Sequence, residues 1–382
     1  MTMAAAEQLV REGVAAMQRR DGRAARAAFE QMAALPGVEP PWLLLAQACR
    51  LTDDDRAEEA ALDRLLAAQP RNLRALIMKG DLRLRLRDSR AAASCYGLAL
   101  KSAAAAGSIP PALEAELARA QHAIDRLRGD YAAHVLETLR AAGLDPAAAG
   151  PRFGRALDVL LGRAQVYPQA PTTFFYPGLP TIEFFDRADF PWLEAIEAET
   201  PAIRGELEAV LAAGTGIRPY AENEPGRPPR QGPLAGNPDW SAYYLWQGGK
   251  PVPAAAERCP RTMAALDLAP IPRIRGRSPM ALFSLLRPGT HIPPHHGMLN
   301  TRLICHLPLI VPEACALRVG GETRSWEEGR ALLFDDSIEH EAWNRSDRLR
   351  VVLLFEVWRP ELGAEERAAL TTLYESIIDY AE

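Results

Sequence analysis

From residue 240 to residue 358 the chain is cut into short runs rich in aliphatic and aromatic residues, at 240–246, 280–286, 301–311, 315–319, 331–334 and 349–358. Turn-forming pairs such as Pro288-Gly289 and Gly320-Gly321 separate them. Runs of this length between such breakers read as strands rather than helices. Many short strands at this spacing predict a β-sandwich or jelly-roll barrel.

Upstream the period changes. Residues 1–130 are rich in Ala, Leu and Arg and poor in β-branched residues, which predicts amphipathic helices. They also repeat. Counting from Leu73, residues Gly80, Ala92, Tyr96 and Ala99 fall at the small and aromatic positions of the roughly 34-residue tetratricopeptide pattern. Small residues there let two helices approach, and the aromatic ring fills the gap between them. Ala46, Leu62 and Pro70 fit one period earlier, and Gly13, Ala25 and Phe29 fit with a one-residue slip. The expectation is about three helix pairs and a capping helix over 111–128; the alternative is an irregular bundle with chance spacing. A helical connector is expected over 131–165, with His122 and His134 on helix surfaces. Pro168, Pro171, Pro177 and Pro180, interleaved with Phe174, Phe175 and Tyr176, mark irregular structure docking on a new core, so a second domain is expected over 166–382. Within it, 190–213 reads as helical and 218–238, rich in Pro, Gly and Asn, as a long loop.

With 382 residues, 48% hydrophobic and 24% charged, the chain can build two cores. Its net charge of -5 gives no electrostatic case for nucleic acid as a partner. No leader-like start and no membrane span are evident. The five cysteines form no CxxC pair, which predicts reduced thiols and a cytoplasmic location.

The chemistry-bearing residues gather late in the chain. His295 follows Pro293-Pro294, and His340 ends a run that begins at Phe334. Jelly rolls bring such strand ends together, so two neutral imidazoles can share one metal ion. A lone histidine is more often a satisfied polar residue than a ligand; two in matched contexts shift the reading to metal. The common non-haem iron triad adds a carboxylate two residues after the first histidine, but that place is Gly297. Water is then the candidate third ligand, and Asp336 the residue to hold it, unless Asp335-Asp336 only shapes a turn. Arg350 interrupts an otherwise apolar strand and needs an anionic partner, unless it faces solvent from an edge. Arg302, Ile304 and His306 alternate onto one face of their strand. Ser284, one strand earlier, can donate a hydroxyl to the same anion as Arg350. His291 and His296 are weaker candidates.

These residues resemble the aspartyl/asparaginyl β-hydroxylase family of iron(II)- and 2-oxoglutarate-dependent dioxygenases. The resemblance runs through Phe283-Ser284, Pro288-Gly289-Thr290-His291, Pro294-His295, Arg302, His306-Leu307, Trp326-Glu327-Glu328-Gly329, Phe334-Asp335-Asp336-Ser337, Glu339-His340-Glu341, Arg350 and Val357-Trp358-Arg359-Pro360, within roughly 165–365. It implies a double-stranded β-helix (jelly-roll, cupin-like) domain after a tetratricopeptide-like solenoid, an α+β multidomain chain. It also implies Fe(II) on His295 and His340 with no acidic ligand. The distal carboxylate of 2-oxoglutarate would lie on Ser284 and Arg350, with His306 near its chelating end. Members of the family carry an arginine two residues before the histidine that matches His306. Here that place is Ile304, and Arg302 is the candidate substitute. The implied reaction is hydroxylation of the β-carbon of Asp or Asn in a peptide or protein presented by the helical repeats. A lipid acyl chain or free small molecule is the alternative substrate, and a scaffold that has lost activity the alternative role.

Overall fold

The computed structural model describes residues 2–222 and 232–381. It divides into two compact units, Met1–Leu161 and Gly162–Glu382. Part of the loop expected over 218–238 lies outside the described residues.

The first unit is helical: α1 (Thr2–Gln18), α2 (Gly22–Ala33), α3 (Trp42–Leu51), α4 (Asp55–Ala68), α5 (Leu73–Arg85), α6 (Ser89–Ala104), α7 (Pro111–Ala141) and α8 (Pro151–Leu160). Asp21, Asp54, Asn72 and Asp88 start four of these helices, each side chain accepting the backbone N–H three residues on. Such caps contribute about 1 kcal/mol each. Consecutive helices joined by short turns pack on each other, α1 on α2, α3 on α4 and α5 on α6. A Cβ at Gly13 would overlap the ring of Phe29, and one at Gly80 the ring of Tyr96. The small and aromatic positions of the repeat pattern therefore meet as pairs. The helix expected over 111–128 continues to Ala141, because no Gly-Pro break interrupts its 3.6-residue pattern at Arg128. His122 and His134 both lie exposed on it.

Asp81 ties this unit together. It accepts Tyr96 Oη at 2.6 Å, Arg119 Nη1 and Nη2 at 2.6 and 3.0 Å, and Arg50 Nη1 at 3.2 Å. Burial alone would raise its pKa, but these bonds outweigh burial and hold it below the usual carboxylate range. A depressed folded-state pKa adds stability above the unfolded value of about 3.9 and loses it as pH falls through the folded value. Asp81→Asn should therefore cost about 2 kcal/mol at pH 7. Chemical denaturation at pH 7 and pH 3 should show that difference shrinking in acid; a difference constant with pH contradicts the assignment.

The second unit holds β1 (Arg218–Pro219), β2 (Trp240–Gln247), β3 (Lys250–Pro251), β4 (Ala281–Leu286), β5 (His291–His295), β6 (Arg302–Ile310), β7 (Cys315–Val319), β8 (Glu322–Ser325), β9 (Leu332–Phe334), β10 (His340–Asn344) and β11 (Arg350–Trp358). Its helices are α9 (Leu193–Ala198), α10 (Thr200–Ala213), α11 (Pro253–Arg258), α12 (Pro260–Leu266) and α13 (Ala364–Ala381). One antiparallel sheet runs β1-β2-β4-β11-β6-β9, with β3 on β2, and a second runs β5-β10-β7-β8. Side-chain alternation assigns the faces. On β11, Val351, Leu353, Phe355 and Val357 join Ile203, Leu207 and Val210 of α10 in one core. Val352 and Leu354 join Ile292, Leu317 and Ala342 of the second sheet in another. The two sheets thus pack face to face as a jelly roll, with helices over the outer face of the larger one. Arg350 and Glu356 have the parity of Val352 and Leu354, so both point between the sheets. All five cysteines are unbridged. No helix among the described residues is long and apolar enough to cross a membrane.

Candidate active site

His295 ends β5 and His340 begins β10, and the two are direct register partners. Their ring centroids stand 4.1 Å apart. The register slips between His340 and Ala342, which faces Ile292, so β5 carries an extra residue at Pro293-Pro294. Prolines lack the N–H a ladder needs and are tolerated at an edge or bulge, and a bulge re-aims the side chain beside it. β5 is an edge strand. Each histidine bonds through Nδ1 to the carbonyl two residues back, His295 to Pro293 O at 2.9 Å and His340 to Ile338 O at 3.0 Å. A carbonyl only accepts, so Nδ1 carries the proton in both rings and each Nε2 keeps its lone pair for a metal. Burial lowers the pKa of His295, and burial with His295 as neighbour lowers that of His340 to about 3. Both rings are therefore neutral at pH 7, the form that ligates.

Arg350 opens β11 with 1% of its surface exposed. It lies in a central strand between β4 and β6, not at an edge. Its Nη1 makes only a long 3.4 Å contact to Ser284 O, its guanidinium lies 4.8 Å over the ring of Trp326, and its Nε has no partner. Burial lowers its pKa to about 10. His306 Nδ1 and Trp326 Nε1 are also buried without a partner. The ring of His306 is 6.0 Å from that of Trp326, and burial with the Arg350 charge holds His306 well below the usual histidine range. Ser284 Oγ accepts Trp240 Nε1 at 3.3 Å, which leaves its own proton to give. Among the described residues, the buried polar side-chain atoms without a partner are those of Arg302, His306, Trp326, Asp336 and Arg350, with only Glu58 and Arg367 elsewhere. Unmet polar groups are few in native proteins, and the unmet N–H donors among these fit an anion as a missing partner. A cavity of about 560 Å³ joins Ser284, His295, His306, His340 and Arg350.

Arg302 faces this cavity, as strand parity requires. Its guanidinium is taken by protein carboxylates, Glu356 at 2.7 Å and Asp336 at 3.2 Å, and so is not open to a cosubstrate as the sequence reading had it. Burial raises the pKa of Asp336 to about 6 against the pull of Arg302. Its backbone carbonyl accepts Gly297 N–H at 2.6 Å, and a Cβ at position 297 would overlap its carboxylate. The space beyond Gly297 is thus filled by a carboxylate from another segment. Asp335 lies in a separate buried pair with Arg359 at 2.7 Å. His291 pairs at 2.7 Å with Glu341 on an exposed edge, and His296 lines the cavity. Sequence reasoning missed Trp326 as the platform under Arg350, and missed Glu356. The signal for Glu356 was available, since it shares strand parity with Arg350 inside an apolar run.

Gly297→Asp should not simply restore a triad. Overpacking against Asp336 should cost about 1–3 kcal/mol, and Asp336→Ala in the same chain should relieve it. Thermal melting with iron stoichiometry checks this; tighter iron binding by Gly297→Asp alone, at unchanged melting temperature, contradicts it.

Fold and site together define a jelly-roll domain with a two-histidine centre beside a buried arginine. Residues 197–360 match the family model described as Aspartyl/Asparaginyl beta-hydroxylase, so this segment is a domain of that family. It is 36% identical over 184 residues to a human aspartyl/asparaginyl beta-hydroxylase, covering 47% of this chain and 23% of the relative. It is 37% identical over 188 residues to an ornithine lipid ester-linked acyl 2-hydroxylase of Rhizobium tropici, covering 48% and 63%. It is 36% identical over 211 residues to human aspartate beta-hydroxylase domain-containing protein 2, covering 54% and 55%. The match spans less than two thirds of each relative's own length.

Proposed function

We propose that this domain is an iron(II)- and 2-oxoglutarate-dependent hydroxylase. The observation that carries the reading is Arg350, a buried guanidinium with no carboxylate partner among the described residues, in one cavity with two neutral imidazoles protonated on Nδ1. His295 and His340 would hold the ion. Iron bound there, with 2-oxoglutarate and dioxygen, would supply the oxidising power that turns a C–H bond into C–OH. Arg350 and the Ser284 hydroxyl would hold the distal carboxylate of the diacid, a charge-assisted contact in a dry site. His306, neutral and further along the same cavity, would face its other end. The stack of Tyr220 on Trp240, with ring centroids 4.1 Å apart, would help shield the centre from water.

The substrate we infer is the β-carbon of an Asp or Asn in a peptide, with the tetratricopeptide-like helical unit docking the protein that carries it. A second reading is an acyl chain, favoured by Ile304, Leu317, Phe334 and Leu354 on the cavity wall and by the name of the Rhizobium relative. Succinate release with peptide against lipid substrates separates the two.

Titration calorimetry of 2-oxoglutarate into anaerobic, iron-loaded protein should give one equivalent bound. Arg350→Gln should weaken it by about 30-fold or more, the usual loss when one partner of a buried charge pair is removed. His295→Ala and His340→Ala should each lose iron. A wild-type protein that binds iron but no 2-oxoglutarate contradicts the proposal.

A further inference from the structure

Three arginines among the described residues line the cavity, and their surroundings set them apart. Arg302 is neutralised by Glu356 and Asp336. Arg350 is the cation that the reading above gives to the cosubstrate. The third, Arg277, is half-buried on the loop before β4. Its guanidinium lies 4.6 Å over the ring of Tyr374, and no carboxylate among the described residues pairs with it. Burial holds its pKa below the usual arginine range, and the charged side chains it feels are Arg302 and Glu356.

The loop that carries Arg277 is fixed. Ile274 and Ser278 bond reciprocally, Ser278 N to Ile274 O at 2.9 Å and Ile274 N to Ser278 O at 2.8 Å. Gly249, at φ +76, packs on those same two carbonyls and leaves no room for a Cβ. Arg277 is thus held beside the cavity before any ligand arrives, which lowers the cost of binding one.

Strand β11 measures how far it lies from Arg350. Arg350 and Glu356 sit near opposite ends of this strand, and six antiparallel steps span about 20 Å. Arg277 belongs to the Glu356 end, since Met280, three residues further along its loop, donates its backbone N–H to Glu356 Oε1 at 2.9 Å. A five-carbon diacid gripped by Arg350 is far too short to reach it. The cavity therefore offers a second cationic pole that the cosubstrate cannot fill.

We propose that Arg277 binds an anionic group of the substrate, a carboxylate or a phosphate, at the end of the cavity remote from Arg350. The proposal rests on the hydroxylase reading, which assigns Arg350 to 2-oxoglutarate. A guanidinium backed by an aromatic face presents its remaining N–H edge to two oxygens of such a group. The substrate would then be anchored through this charge while its reacting carbon lies toward His295 and His340. A carboxylate would point to a peptide and a phosphate to a lipid headgroup or small metabolite.

The test uses full-length protein loaded anaerobically with iron(II) and saturated with 2-oxoglutarate. It is titrated calorimetrically with N-acetyl-aspartate amide, with glycerol 3-phosphate and with the neutral N-acetyl-asparagine amide. Wild type should bind one further anion and bind the neutral amide more weakly; whichever anion binds names the source. Arg277→Gln should weaken that binding by about tenfold or more. Arg277→Lys should recover part of it, and the affinity for 2-oxoglutarate and the melting temperature should stay unchanged in both. Equal anion binding by wild type and Arg277→Gln, or no second anion in wild type, overturns the assignment. If 2-oxoglutarate does not bind while Arg277-dependent anion binding persists, the hydroxylase reading fails and the anion subsite stands.

Discussion

A guanidinium closed between two β-sheets, with no carboxylate among the described residues to answer it, is the constraint on which the site depends. Arg350 has the strand parity of Val352 and Leu354, so β11 cannot expose it without turning its other face out of the helical-side core. Leaving a buried charge unpaired costs several kcal/mol. The Trp326 ring and a long contact to a backbone carbonyl soften that cost but do not remove it. The protein carries this cost in its ligand-free form, and a bound anion would offset it. The imidazole pair on the opposing sheet is incomplete in the same sense. Both Nδ1 atoms are fixed on carbonyls and burial keeps both rings neutral, so each Nε2 carries a lone pair that can bind a metal. The two groups share one cavity, and the proposed metal and diacid would answer them together.

Neighbouring charges divide the cavity into regions. Glu356 and Asp336 take up Arg302, so a residue that looks in sequence like a spare cosubstrate clamp is part of the wall instead. Asp336 also fills the space that a side chain at position 297 would need, which ties the glycine there to the carboxylate opposite it. Arg350 and Arg277 are left as separated poles. The first is the more buried and suits a small diacid; the second lies on the loop before β4 and suits a group carried by a larger molecule.

Much of this was legible in the chain. The strands at 240–246, 280–286, 301–311 and 349–358 announce themselves because apolar residues predominate in each run. Parity alone placed Arg302, Ile304 and His306 on one side. β5 and β10 were not legible as strands. β5 contains Pro293-Pro294, which reads as a break until the bulge opposite His340 and Ala342 is known, and β10, His-Glu-Ala-Trp-Asn, lacks an apolar run. The register that joins His295 to His340 is a long-range pairing that no local pattern encodes. That Arg302 is paired could not be read locally, because Glu356 and Asp336 lie on other segments. Arg277 drew no notice because a surface-like Arg-Gly-Arg loop is ordinary until a cavity is found beside it.

The most direct measurement is anomalous diffraction at the iron edge from crystals grown anaerobically with iron(II) and 2-oxoglutarate. The account predicts one iron bonded to Nε2 of both His295 and His340, with a carboxylate of the diacid on the guanidinium of Arg350. Iron bound elsewhere, or a diacid that leaves Arg350 without an anion, would contradict it.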